Sequence, residues 1–258
     1  MLWAELRLRA WMRTKYQQQI TLPQVNRIKL LMTIEERGFE SMEAAAHALA
    51  DELACTMRDA ITERGRALLA VSGGRTPQTV FNYLCKQNID WASVTITLTD
   101  ERWVPVGHTD SNESLVRNYL LQGDAADATF IPFYGGEATP ELGQAACEAR
   151  LATIDRPFDA VYIGMGEDGH FLSLFPGDAA VEVREGRCVA VPETKTRLPR
   201  MSLTASFALN TKNLFLLFSG AAKHAKYAEA KKEGLYSEVP LRLALLQKHA
   251  PVHVLTAP

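Results

Sequence analysis

The chain has 258 residues, 47% of them hydrophobic and 22% charged, with a formal net charge of −2, ordinary values for a globular chain with enough apolar surface to bury a core. That balance argues against broad nucleic-acid binding, which shows a basic excess, and no apolar run approaches membrane-spanning length. Cys55, Cys85, Cys147 and Cys188 are too widely spaced for a metal clip, and a disulfide framework is not expected in a chain of this size, so reduced thiols in a cytoplasmic setting are the simpler reading.

Residues 1–31 carry Arg7, Arg9, Arg13, Lys15, Arg27 and Lys29 against the acid Glu5. They lack the apolar segment of a secretory signal. An Arg-rich, acid-poor start also suits an organellar transit peptide. The preferred reading is an extension outside the fold, with one domain over residues 32–258 and Met32 near its natural beginning.

From Ser41, the residues Met42, Ala45, Leu49, Leu53, Met57 and Ile61 recur at helical spacing, and Gly65 ends the pattern. Ala67 to Val71 is a buried strand, followed by SGGRTP and a helix from Pro77 to about Lys86. Val94 to Thr99 is the next strand. A polar loop then leads to Ser111, which caps a helix carrying Leu115, Tyr119 and Leu120. Phe130 to Tyr134 reads as a strand and Pro140 to Ile154 as a helix. Phe158 to Gly164 is an apolar strand that runs into a glycine-rich loop. Cys188 to Val191, Met201 to Thr204 and Asn213 to Ser219 read as strands. A helix follows from Ala221 to about Lys232, Pro240 opens another, and Val252 to Leu255 is the last strand. This alternation predicts an α/β fold: an open, mostly parallel, twisted sheet with helices on both faces, Rossmann-like in its winding. Ligands of such sheets sit beyond the carboxyl ends of the strands, and each polar, glycine-rich segment falls at such an end.

Gly73 and Gly74 of SGGRTP allow close backbone approach and positive φ. Thr76 suits a cap, and Pro77 suits the first helical position. A helix start is an anion site, so Gly73, Gly74, Arg75 and Thr76 form a candidate phosphate cradle; the plain alternative is a tight turn that binds nothing. The segment lacks Walker-loop or dinucleotide spacing. TDERWVP places Asp100, Glu101 and Arg102 at the next strand end, where the planar Arg102 fork suits a phosphate or carboxylate, or a surface ion pair. His108 of HTDSN reads as an exposed loop residue.

GMGEDGHFLSLFPG delivers glycines, an acid and a histidine from a buried strand. His170 is a candidate general base, with Asp168 close enough in sequence to orient it; a structural histidine bonded to backbone is the alternative. Leu172, Leu174 and Phe175 read as packing residues. Arg200 begins a strand. Lys223 lies in the first turn of a helix, where a cation opposes the dipole unless an anion sits between them. Lys226, Lys231, Lys232, His224 and His249 read as surface.

SGGRTP, TDERWVP with HTDSN, GMGEDGH with SLFPG, RMSLT and GAAKHAK, in this order, resemble the 6-phosphogluconolactonase family from about Glu35 to the C-terminus. The resemblance implies hydrolysis of 6-phosphoglucono-δ-lactone in the oxidative pentose phosphate pathway, on the fold shared with glucosamine-6-phosphate deaminase. It implies phosphate binding by the Gly73–Thr76 loop, Arg102, Arg200 and Lys223, with His170 as base and Asp168 as its neighbour. No cofactor or metal is expected. The expected partner is a small sugar-phosphate lactone, with no nucleic acid, membrane or protein partner. Two departures stand out: Arg75 where the family often has Ser, and Phe171–Leu172 where it often has Thr-Ala or Thr-Cys. Arg242, in a proline-containing segment like the family's, is expected to approach the site. A G-x-S-x-G elbow and an HExxH pattern are both missing, which favours direct water attack. The deaminases of this fold carry a Glu five residues after the histidine, where this chain has Phe175. A sugar-phosphate sensor would need a DNA-binding domain, for which residues 1–31 are too short.

Overall fold

A computed structural model describes residues 34–258; the extension expected over residues 1–31 lies outside the described residues. The first element is an edge strand, β1 (Ile34–Gly38), whose sequence IEERG is half exposed and shows no clear alternation, so sequence analysis passes over it. Helix α1 (Met42–Arg64) follows. The Ser41 hydroxyl accepts the Ala44 amide at its start, and Gly65 closes it with φ 73°, the left-handed geometry that glycine adopts without penalty. Its inward residues, Ala45, Leu49, Leu53 and Met57, are fully buried.

The remaining elements are β2 (Ala67–Val71), α2 (Arg75–Leu84), β3 (Val94–Leu98), β4 (Asp100–Arg102), α3 (Asn112–Tyr119), β5 (Thr129–Ile131), α4 (Pro140–Leu151), β6 (Ala160–Ile163), β7 (Cys188–Val191), β8 (Arg200–Leu203), α5 (Ala205–Ala208), β9 (Leu214–Ser219), α6 (Ala221–Ala230), α7 (Arg242–Leu245) and β10 (Val252–Ala257). Seven strands form one parallel sheet in the order β1-β10-β9-β6-β2-β3-β5. Its central strands β2 and β6 are buried throughout, as parallel strands covered on both faces must be. The chain winds from β2 through β3 to β5, then returns to the other side of β2 with β6 and continues through β9 to β10. The direction of winding therefore switches between β2 and β6, and the crevice beyond their carboxyl ends is where such sheets bind ligands.

Strands β4, β8 and β7 form a separate antiparallel sheet in that order, with β4 falling in the segment that reads as a polar loop. Two expectations need correction. Helix α2 begins at Arg75 with Gly74 as its N-cap, so Thr76 lies inside the helix and caps nothing. The segment from Pro240 supplies only the short α7, Arg242–Leu245, too few residues for periodicity to reveal.

Candidate active site

A cavity of about 240 Å³ lies at the switch point, lined by Gly73, Gly74, Arg75, Thr76, Arg102, His170, Arg200 and Lys223 among others. Of the residues expected to act as base, its neighbour or phosphate ligands, Asp168 alone is outside the lining. Larger hollows of about 420 and 600 Å³ lie elsewhere, the first along residues 66–68, 129–132 and 150–156 and the second around Asp159. They sit by the amino ends of the strands, away from the glycine-rich loops.

Two helices begin at the cavity. Gly74 (φ 115°) precedes α2 and Gly220 (φ 94°) precedes α6, and neither helix start has a side-chain cap. Among the described residues, the three other helices of eight residues or more are capped by Ser41, Ser111 and Thr139. Among these longer helices the uncapped starts are thus the two beside the cavity, where free amides and the helix dipoles favour an anion. Lys223, in the first turn of α6, adds a cation to the same space.

Strand alternation sorts the DER segment. Asp100 and Arg102 share a face and line the cavity, whereas Glu101 points the opposite way. Glu101 is fully buried and holds the start of α3. Its Oε1 accepts the Arg102 and Asn112 amides, both at 2.7 Å, and its Oε2 accepts the Glu113 amide at 2.7 Å and the Ser111 hydroxyl at 3.2 Å. Burial pushes its carboxyl up to about 7 against the pull of these amides. Glu101 is therefore a structural anchor and not a ligand-facing acid. Asn112, fixed by this anchor, donates to the Asp100 carbonyl at 2.8 Å. Its side chain also occupies the space a Cβ at Gly73 would need, 1.8 Å from Oδ1, so Gly73 serves close packing within the protein.

Antiparallel pairing of β4 with β8 sets Arg102 directly opposite Arg200. Both line the cavity, and in both the Nε atom is buried without a partner. Arg102 Nη1 donates to the Asp110 carbonyl at 2.7 Å, and Arg200 Nη1 lies 3.7 Å from Asp100 Oδ2. Burial lowers the Arg200 pKa, and Asp100 counteracts it. Like charges directly opposite one another destabilise a ladder, and an unpaired buried donor adds a further cost. An anion in the cavity relieves both.

The loop after β6 folds back on itself. The Gly169 amide donates to the Gly166 carbonyl at 3.1 Å and the Gly166 amide to the His170 carbonyl at 3.0 Å. Asp168 Oδ1 lies 2.7 Å from His170 Nδ1 and also accepts the His170 amide at 3.1 Å. Burial raises the Asp168 carboxyl, but the His170 contact outweighs it and leaves it below the usual carboxylate range. A Cβ at Gly166 would come within 2.2 Å of His170 Nδ1, so the pair can close only over a glycine. Phe175 packs its ring 4.2 Å from the imidazole. Phe171 is fully buried, and Leu172 lines the cavity at φ 54°, a left-handed backbone that is uncommon outside glycine and tends to occur at functional sites. The expectation that Leu172 only packs is therefore incomplete.

The structure separates other candidates from the cavity. Arg242 does not reach it: its side chain is buried in the 232–239 turn, donating from Nε to the Lys232 carbonyl at 3.1 Å and from Nη1 to the Leu235 carbonyl at 2.8 Å. Its sequence position near the C-terminus gives no sign of this inward turn. His108 is exposed, and its Nδ1 accepts the Asp110 amide at 3.1 Å. Conversely, sequence analysis overlooks Tyr162, a strand residue that lines the cavity floor, because an aromatic in an apolar run reads as core. Among the described residues no cluster of three or more His, Cys, Asp or Glu side chains is placed to hold a metal ion, and no helix is long and apolar enough to cross a membrane.

Residues 40–254 match the model of the family described as glucosamine-6-phosphate isomerases/6-phosphogluconolactonase. The chain belongs to this family. A 6-phosphogluconolactonase of Rhizobium meliloti is 38% identical over 225 residues, which is 85% of this chain and 97% of the relative. The crystal structure of a 6-phosphogluconolactonase from Shewanella baltica superposes with a TM-score of 0.85 at 36% identity, over 88% of this chain and 99% of that one. A monomeric glucosamine-6-phosphate deaminase superposes with a TM-score of 0.73 at 17% identity, over 87% of this chain and 97% of that one, and shares the fold. Membership in the family therefore rests on most of the length of the chain.

Proposed function

We propose that the chain hydrolyses 6-phospho-D-glucono-1,5-lactone to 6-phospho-D-gluconate, a step of the oxidative pentose phosphate pathway. The observation that carries this reading is the directly opposed Arg102–Arg200 pair, with unpartnered donors, in one cavity with the Asp168–His170 pair. The phosphate is held by the free amides at the start of α2 and by Arg75, Thr76, Arg102, Arg200 and Lys223. These fix the lactone carbonyl before His170.

The Asp168 contact disposes Nδ1 of His170 to carry a proton, which leaves Nε2 to accept one. Nε2 takes a proton from water as the water oxygen bonds to the lactone carbonyl carbon. The oxyanion forms in a cavity whose charged lining is mainly cationic, an arrangement that stabilises developing negative charge. Collapse breaks the bond from that carbon to the ring oxygen, which takes the proton from the imidazolium; the new carboxylic acid releases its proton to solvent. The isomerase-deaminase reading needs an acid at position 175, and Phe175 instead packs against His170.

The family match over residues 40–254 supports treating residues 32–258 as one domain and residues 1–31 as an extension. A cytoplasmic setting accords with the four free cysteines. The test is acid release from freshly generated lactone with the spontaneous rate subtracted, run beside the unphosphorylated lactone and beside glucosamine 6-phosphate with ammonia detection. Rapid turnover of the phosphorylated lactone alone is expected; no turnover above background overturns the reading, and ammonia release replaces it with deamination.

A further inference from the structure

Tyr162 is 1% exposed, sits on the central strand β6, and lines the cavity. Among the described residues nothing hydrogen-bonds to its hydroxyl, and burial alone raises its pKa, so the group stays protonated. Buried tyrosine hydroxyls ordinarily find a partner; one that does not, at the wall of a cavity, is suited to meet a ligand.

The sheet explains where that ligand atom lies. Tyr162 pairs with Val71 of β2 on one side and with Phe215 of β9 on the other. The strand β2 leads to the Gly73–Thr76 loop, β9 leads to Lys223, and β6 itself leads to His170. Tyr162 thus stands on the strand between the two helix starts and at the root of the loop that carries the base. Gly164, two residues on, lines the same cavity, and a Cβ there would meet nothing within 4 Å, so the cavity is open where β6 ends.

Resting on the functional reading above, we infer that the Tyr162 hydroxyl hydrogen-bonds a non-phosphate oxygen of the bound sugar acid, making it a specificity-determining contact for the sugar and not for the phosphate. A chain with leucine or phenylalanine at this position would keep the cavity floor and lose that donor.

The test is calorimetric binding of 6-phospho-D-gluconate and of inorganic phosphate to the wild-type chain and to Tyr162→Phe, with thermal melts of both. Tyr162→Phe keeps the ring and is expected to melt like wild type. It is expected to lose about three- to tenfold in affinity for 6-phosphogluconate, the worth of one neutral hydrogen bond, while inorganic phosphate binds as before. Unchanged 6-phosphogluconate affinity overturns the inference, and so does an equal loss for both ligands, which would place the phenol at the phosphate end. A wild-type chain that binds inorganic phosphate but not 6-phosphogluconate overturns the functional reading, and this inference falls with it.

Discussion

At the scale of single residues, the proposed chemistry divides between His170 as base and a set of cations on different elements. His170→Ala is expected to lower kcat by about 10²- to 10⁴-fold, the usual worth of a positioned base, while binding of 6-phosphogluconate stays within about threefold of wild type by calorimetry. Arg200→Gln acts on the other half of the site. It removes a charge-assisted contact worth about 1.5–3 kcal/mol, so KM is expected to rise roughly 10- to 100-fold with a smaller change in kcat. It also removes the repulsion opposite Arg102, so the ligand-free variant is expected to melt at or above the wild-type temperature. A fall in melting temperature would show that Arg200 is held by Asp100 for stability and not for a ligand. Gly166→Ala is the steric counterpart: with a Cβ 2.2 Å from His170 Nδ1, kcat is expected to drop while KM barely moves.

At the scale of elements, the site is kept in place by contacts outside the cavity. Glu101 anchors α3, and through Asn112 it sets the approach to Gly73. Its carboxyl, raised to about 7 by burial, binds a proton more tightly in the folded chain than in the unfolded one. Its contribution to stability is therefore fully present below the ordinary glutamate range and is lost as pH rises through about 7. The loss is on the order of 3 kcal/mol. Urea unfolding at pH 5 and pH 8 should show this slope in wild type, and Glu101→Gln should be less stable but flatter between the two. Arg242 is a second anchor. Its guanidinium lies where a Cβ at Gly234 would be, 2.5 Å from Cζ. The turn it holds supplies the Ser237 carbonyl to the Gly177 amide at 2.8 Å, and the Leu241 amide donates to the Gly169 carbonyl at 3.0 Å. Both contacts fall on the loop that carries His170.

At the scale of the whole molecule, the two ends of the sheet do different work. The carboxyl ends of the strands carry the cavity, and the amino ends carry ion pairs. Asp159, 1% exposed, is reached by Arg64 and Arg156 at 2.8 Å and by Lys212 at 3.2 Å, and its Oδ2 accepts the Leu68 amide at 2.9 Å. Burial raises its carboxyl, yet Arg156, the Leu68 amide and Lys212 outweigh it, so it titrates below the usual carboxylate range. The stability it contributes is present above the ordinary aspartate pKa and is lost as pH falls through the lower folded value. Asp159→Asn is expected to cost about 3 kcal/mol at pH 7, as for one partner removed from a buried pair. In denaturant titrations the gap to wild type should close as pH falls below the ordinary aspartate range.

The alternation of apolar strands with amphipathic helices, the Ser41, Ser111 and Gly65 punctuation, and the glycine-rich loops were all legible in the amino-acid order, because periodicity, caps and positive φ are local requirements. So were the residues that meet in the cavity, since in a wound parallel sheet the carboxyl ends of the strands converge wherever the winding reverses. What the order of residues by itself did not determine was every choice made by pairing between distant segments. It did not show that β4, β7 and β8 leave the parallel sheet, that Arg102 faces Arg200, that Glu101 turns inward to anchor α3, or that Arg242 ends in a turn. Nor did it show that Tyr162 lies at a cavity wall. Each depends on which face of a short strand or turn is covered by a partner far along the chain. A three-residue strand such as β4 has too few positions for its own pattern to say which face that is.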